Sequence, residues 1–139
     1  MFPLNNQRQI RQEFTDQARK QIHDLLNMVS GVDFVMLCSS DGFELAVASK
    51  KNLQNSGKIA AVSSSILAMV TAFISEIHLT GCKTITLDAD NGKVILTAVD
   101  HAQYPMVLVA VAAKDVLIGQ LLYAIKKTEP YRVCRRLFI

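Results

Sequence analysis

Tryptophan is absent from this chain, and aromatic residues make up only 6% of it. A surface that stacks nucleic-acid bases needs rings interleaved with arginine, which this composition does not offer. The net charge of +3 is also too mild for a phosphate-tracking groove, so nucleic acid is not an expected partner. Three prolines and six glycines leave no linker, repeat or low-complexity segment. The three cysteines are an odd number without a Cys-x-x-Cys pair, which argues against a disulfide framework and suits a reducing compartment. Charge is scarce too, at 19% against 50% hydrophobic residues. So lean a surface on 139 residues, the size of one domain, implies that a second chain covers some apolar area. The opening MFPLNNQRQIRQEF has no apolar signal core. The longest uncharged apolar runs, ILAMVTAFI and YPMVLVAVAA, are about half of what crosses a bilayer. A cytoplasmic protein without a transmembrane segment is expected.

Between Asn5 and Ser30 there is neither Gly nor Pro, and Gly31 supplies a left-handed stop. Ile10, Phe14, Ile22, Leu25, Leu26 and Val29 recur at three- and four-residue steps, the pattern of an amphipathic helix laid on something flat. Two strand-like runs follow, DFVMLCS and FELAVAS, divided by Asp41-Gly42. Asp-Gly between apolar runs predicts a two-residue hairpin loop of type I′, with positive φ at both residues. In that register Ser40 faces Phe43, Cys38 faces Leu45 and Met36 faces Val47. Both faces of the hairpin are then apolar and both need cover.

Asn55 and Ser56 can cap a long helix running to about Leu79 and stopping at Gly81. Ile59, Val62, Ile66, Val70, Phe73 and Ile77 form one ridge on it, and Ala60, Leu67 and Ile74 a second, set off by about 100°. Ala61, Ser64, Ser65, Ala68, Ala72 and Ser75 make a third arc of small residues. One sheet does not need this much apolar or small surface, so a helix–helix contact between two copies is the better account. KTITLD alternates like a half-exposed edge strand, and Asn91-Gly92 turns the chain into KVILTAV. PMVLVAVAA is apolar without alternation, as a central strand covered on both faces would be. A last helix carries Leu117, Ile118, Leu121, Leu122 and Ile125 and ends before Pro130. The order predicts an α/β sandwich with the sheet in the middle, in one domain with its core at about 22–127. Residues 1–21 extend the first helix. Residues 128–139 form a basic tail with an apolar end, either solvated or facing an anionic membrane or an acidic partner.

Cys38-Ser39-Ser40-Asp41 gathers a thiol, two hydroxyls and a carboxylate, but no GxSxG or SxxK context surrounds any serine. A base would have to come from His23, His78 or His101, and Cys38 is expected to point into a packed layer. NSGKI lacks the earlier Gly and the following Ser or Thr of a phosphate loop. His78 and Cys82 lack a second pair of ligands. No catalytic residue, cofactor or metal site is expected.

Taken together, GVDFVMLCSSDGFELA, Ala60-Ala61, TGCKTITLDADNGKVILTAV and IGQLLYAIKK resemble the roadblock family, from about Ile22 to Lys127. That family holds dynein light chains of the roadblock type and bacterial regulators of Ras-like GTPases. Carriers of the resemblance are Gly31-Val32, Ser40, Asp41-Gly42, Leu45-Ala46, Gly81, Gly92 and Gly119. The resemblance implies a profilin-like five-stranded antiparallel sheet, with the long helix on one face and the terminal helices on the other. It implies a homodimer built by the long helix and the third strand. The expected seam comprises Ala60, Ser64, Leu67, Thr71 and Ile74 with Thr84, Thr86 and Asp88. It further implies a non-catalytic adaptor that binds a small Ras-like GTPase and biases its nucleotide cycle; the alternative is a scaffold with no effect on GTP turnover. An Arg could be supplied in trans from Arg8, Arg11 or Arg19, whose other reading is a solvated helix face. A small-ligand sensor is disfavoured because large side chains fill both hairpin faces.

Overall fold

The computed structural model describes residues 4–51, 55–99 and 105–127, with side chains from Thr15 onward. Helix α1 spans Leu4–Met28, strands β1 and β2 Val32–Ser39 and Glu44–Ser49, and helix α2 Ser56–Glu76. Strands β3, β4 and β5 follow at Thr84–Ala89, Gly92–Val99 and Met106–Ala112, and helix α3 at Ile118–Lys127 closes the series. The strands form one antiparallel sheet in the order β2-β1-β5-β4-β3.

Burial of β1 on both sides sets the layers. Phe34, Met36 and Cys38 face a cluster with Ala60 of α2, whereas Val35 and Leu37 face one with Ile22 and Leu25 of α1 and Leu121 and Ile125 of α3. The unalternating β5 divides likewise: Val107 and Val109 lie on the α2 side, Leu108 and Ala110 on the other. The apolar stripe of α1 behaves as its spacing predicts from Ala18 onward, with Ile22, Leu25 and Leu26 buried. Ile10 and Phe14 lie outside the described side chains. On α3, Leu117 departs from expectation: it precedes the helix and is exposed.

The connections depart from the simplest reading of their sequence. Ser39 N–H donates to the Phe43 carbonyl at 2.8 Å and Gly42 N–H to that of Ser39 at 3.0 Å, which closes a loop of three residues. Gly42 has φ +95° and Asp41 no positive φ, as in a type I turn followed by a left-handed glycine. The register slips after Leu37, so Cys38 faces Glu44 and not Leu45, while Met36 still faces Val47. Leu45 accordingly packs with the α1 cluster. In the second hairpin Ala89 pairs with Gly92, leaving Asp90 and Asn91 as the loop. Gly92 is needed there for close approach, because a Cβ would sit 3.0 Å from the Ala112 carbonyl oxygen. Helix α2 stops before Gly81. His78 takes the left-handed position (φ 63°), its N–H donates to Ser75, and Leu79 N–H donates back to Ile74 at 2.8 Å. This paired closure satisfies the last carbonyls without a glycine. At the other end Asn55 occupies the cap position, but its side chain makes no cap hydrogen bond.

Gly42 also joins the two layers. A Cβ there would stand 3.0 Å from Ser64 Oγ and 3.2 Å from Ala61 Cα of α2. Gly42→Ala should therefore lower the urea-unfolding free energy by about 1–3 kcal/mol, from left-handed strain and the clash together. Asp41→Ala, at an exposed position without positive φ, should stay within about 0.5 kcal/mol in the same titration.

Candidate interaction surface

No charged residue interrupts α2 between Lys58 and Glu76. Only a narrow part of it touches its own sheet. Ala60 and Ser63 are buried, and Ile59, Ile66 and Leu67 pack half-buried on the same cluster. The sheet-facing line therefore falls between the two ridges seen in the sequence. Ala60, at 0% exposure beneath the helix, has no surface left for a second chain, which corrects its place in the expected seam. Leu67 and Ile74 are half-buried rather than free, and Ser64 is intermediate. The open part of the helix carries Val62, Met69, Phe73 and Ile77, each at least half exposed, beside the small residues Ala61, Ser65, Ala68, Thr71 and Ala72.

By length and composition α2 is apolar enough to cross a bilayer: its most apolar window has a mean hydropathy of 1.7 and is 11% buried. Serines and threonines break its apolar runs without adding charge, which is why run lengths understated it. Contacts under Gly42, and the Ser56 hydroxyl donating to Glu44 Oε2 at 2.7 Å, tie it to the domain as a packed helix. Three of its hydroxyls are already spent. Ser64 and Ser65 Oγ each donate to the Ala61 carbonyl at 3.0 Å, and Thr71 Oγ1 to that of Leu67 at 2.7 Å. Such a surface can be covered by apolar groups without stranding a donor.

The β3 edge adjoins this side of the sheet. Ile85 packs on the α2 cluster, but Leu87 is 41% exposed, with no helix over it among the described residues. Ala98 N–H donates to the Lys83 carbonyl at 2.9 Å, so the pairs 85–96 and 87–94 turn their backbone groups toward β4. Thr84, Thr86 and Asp88 alternate with them and turn N–H and C=O groups to the open edge. The three edge positions of the expected seam are thus those able to pair with another strand.

In the polar cluster at the tip of the first hairpin, Cys38 and Ser39 have settled partners. Cys38 Sγ lies 3.6 Å from the Val107 carbonyl, and burial pushes its thiol up to about 11. Ser39 Oγ accepts the Phe43 N–H at 3.1 Å, an arrangement that shapes the turn. Arg19 is exposed on α1; the side chains of Arg8 and Arg11 lie outside the described residues, as do His101 and the basic tail at 128–139.

The Roadblock/LC7 domain model matches residues 19–112. The chain belongs to the Roadblock/LC7 family. Among curated proteins, none matches it by sequence. Similar solved structures include MglB from Myxococcus xanthus, 14% identical, covering 88% of this chain and 91% of that one at a TM-score of 0.77. The gliding protein MglB from Thermus thermophilus is 12% identical over 90% of each chain at 0.76. A Roadblock/LC7 domain from Streptomyces avermitilis is 15% identical over 81% and 90% at 0.68. At these identities the likeness is one of fold. It places α2 and the β3 edge within a Roadblock/LC7 sheet and adds no residue roles.

Two substitutions separate packing from surface. Leu67→Glu should cost the fold about 2 kcal/mol or more, seen as a lowered melting temperature, because the carboxylate enters the sheet-facing layer. Phe73→Glu should leave the circular-dichroism spectrum of the folded domain unchanged yet reduce the mass in light scattering, if a second copy covers this face. For the thiols, a maleimide probe should label half-buried Cys82 well before Cys38. The Cys38 thiol ionises near 9.0 when unfolded and near 11 when folded. Stability should therefore fall as pH rises through that window, the unfolded state binding fewer protons.

Proposed function

We propose that this chain is a homodimeric, non-catalytic regulator of a small Ras-like GTPase, acting in the cytoplasm by biasing its partner's nucleotide cycle. The observation that carries the reading is the Roadblock/LC7 domain, with a fold that matches MglB over nearly its whole length. MglB is a bacterial regulator of the Ras-like GTPase MglA. Physical features of the chain support it. The open side of α2 is uncharged, its Ser64, Ser65 and Thr71 hydroxyls are internally bonded, and the adjacent β3 edge is unpaired among the described residues. A second copy laid across both would bury Met69, Phe73 and Leu87 together and pair the backbone of Thr84, Thr86 and Asp88. Cysteines that are free, one of them buried, suit a reducing interior.

Regulation without chemistry of its own would work by remodelling the switch loops of the partner. Arg19 is the described candidate for a cation supplied in trans, which in this class of reaction accelerates hydrolysis by about a thousandfold or more. Its place on an outer helix flank favours a solvated role.

The test is single-turnover GTP hydrolysis and nucleotide exchange by a small Ras-like GTPase from the same genome, with and without this protein. At least one rate should change by about tenfold or more. Arg19→Ala should leave that change intact to within about twofold. Complex formation with both rates unaltered would favour the scaffold reading, and no binding in any nucleotide state would overturn the proposal.

A further inference from the structure

Among the described residues the sheet has two open edges, and a dimer through β3 leaves the other, β2, unoccupied. Register decides what β2 offers. Lys50 N–H donates to the Asp33 carbonyl at 2.9 Å, and the pairs Val35–Ala48 and Leu37–Ala46 continue that phase. Alternate residues of an antiparallel ladder face the partner strand, so Val47 and Ser49 turn their backbone groups away from β1. The Ser49 hydroxyl accepts the Lys51 N–H at 3.1 Å, which fixes the chain just past the strand. At Val47 the strand runs beside an open groove of about 430 Å³ whose opposite wall is one flank of α1: Asp16, Arg19, Lys20 and His23. These four recur at three- and four-residue steps and so stack along one side of the helix. Arg19, Lys20 and His23 are exposed, as are Lys50 and Lys51 just past the strand. The one acid on β2, Glu44, already receives the Ser56 hydroxyl.

We propose that the β2 edge and this α1 flank form a docking groove for an extended acidic polypeptide segment of a partner protein, added to the sheet as a sixth strand. The incoming backbone would take the outward N–H and C=O of Val47, which a folded or helical partner could not do at this depth. Its side chains would alternate. Carboxylates on the α1 side meet Arg19 and Lys20, and apolar groups on the other side lie beside Val47, which packs on the α2 cluster. Nucleic acid would satisfy the cations but not the carbonyl of Val47, and Asp16 opposes its denser charge. β2 and β3 are opposite ends of the sheet, so docking here does not compete with a second copy at β3 and does not depend on the GTPase reading.

The test uses the full chain and a fluorescein-labelled peptide about eight residues long that alternates Val and Glu. Anisotropy should rise saturably. The affinity should fall about tenfold or more in Arg19→Glu/Lys20→Glu, and binding should vanish when a proline interrupts the peptide. Val47→Pro removes one outward N–H and no ladder bond, so it should abolish binding while melting temperature and mass stay unchanged. If that variant fails to fold, a peptide N-methylated at alternate residues must lose binding instead. Four results overturn the proposal: no binding at about 1 mM peptide, equal binding of the proline-interrupted peptide, tighter binding of single-stranded RNA or phosphatidylserine vesicles, or undiminished binding by a folded Val47→Pro.

Discussion

Everything in this domain follows from a pair of central strands with no solvent side. β1 and β5 bury apolar residues in both directions, so the sheet is stable only with a layer on each face. The chain solves one face with two helices, α1 and α3, whose stripes are narrow and amphipathic. Among the described residues α2 alone covers the other, crossing the middle of the sheet and stopping short of Leu87. The incomplete cover on that side is the origin of the exposed apolar surface.

The character of α2 is then intelligible. A helix that serves only one sheet needs one stripe and puts charge behind it, as α1 does with Arg19, Lys20 and Asp24. Behind its stripe α2 has Val62, Met69 and Phe73, small residues, and hydroxyls turned onto its own carbonyls. The lean charge of the whole chain is largely the absence of charge here. Composition, helix and open strand edge thus describe one physical fact at three scales.

Hydrophobic period made the strands legible, since strict runs such as that of β5 and alternation such as that of β3 follow directly from how many faces are covered. Gly31 was legible too: its φ of +92° and the 2.5 Å approach of Val116 to a would-be Cβ leave no other residue. The faces of α2 were not. When a helix is apolar all round, periodicity cannot choose the buried line, and it puts Ala60 on an outward ridge. Turn geometry escaped as well, because Asp-Gly serves a two-residue loop and a three-residue loop with a bulge equally. His78 ends α2 through backbone closure that no residue preference announces. The β2 groove joins Val47 to the flank of α1 from Asp16 to His23, far upstream in sequence, a juxtaposition that only the packing of α1 creates.

The sheet order also bears on how the chain is made. Cys38 meets the carbonyl of Val107 across a separation of 69 residues, and β5 is the strand that joins the two hairpins. During synthesis the first hairpin and α2 leave the ribosome long before β5, with β1 still lacking its inner neighbour. Loop-closure entropy must be met before that pairing gives any return, so folding should be slow and cooperative, completing only after β5 has emerged. Until then the growing chain shows both an unpaired strand and an uncharged helix, which makes it a natural client for a chaperone.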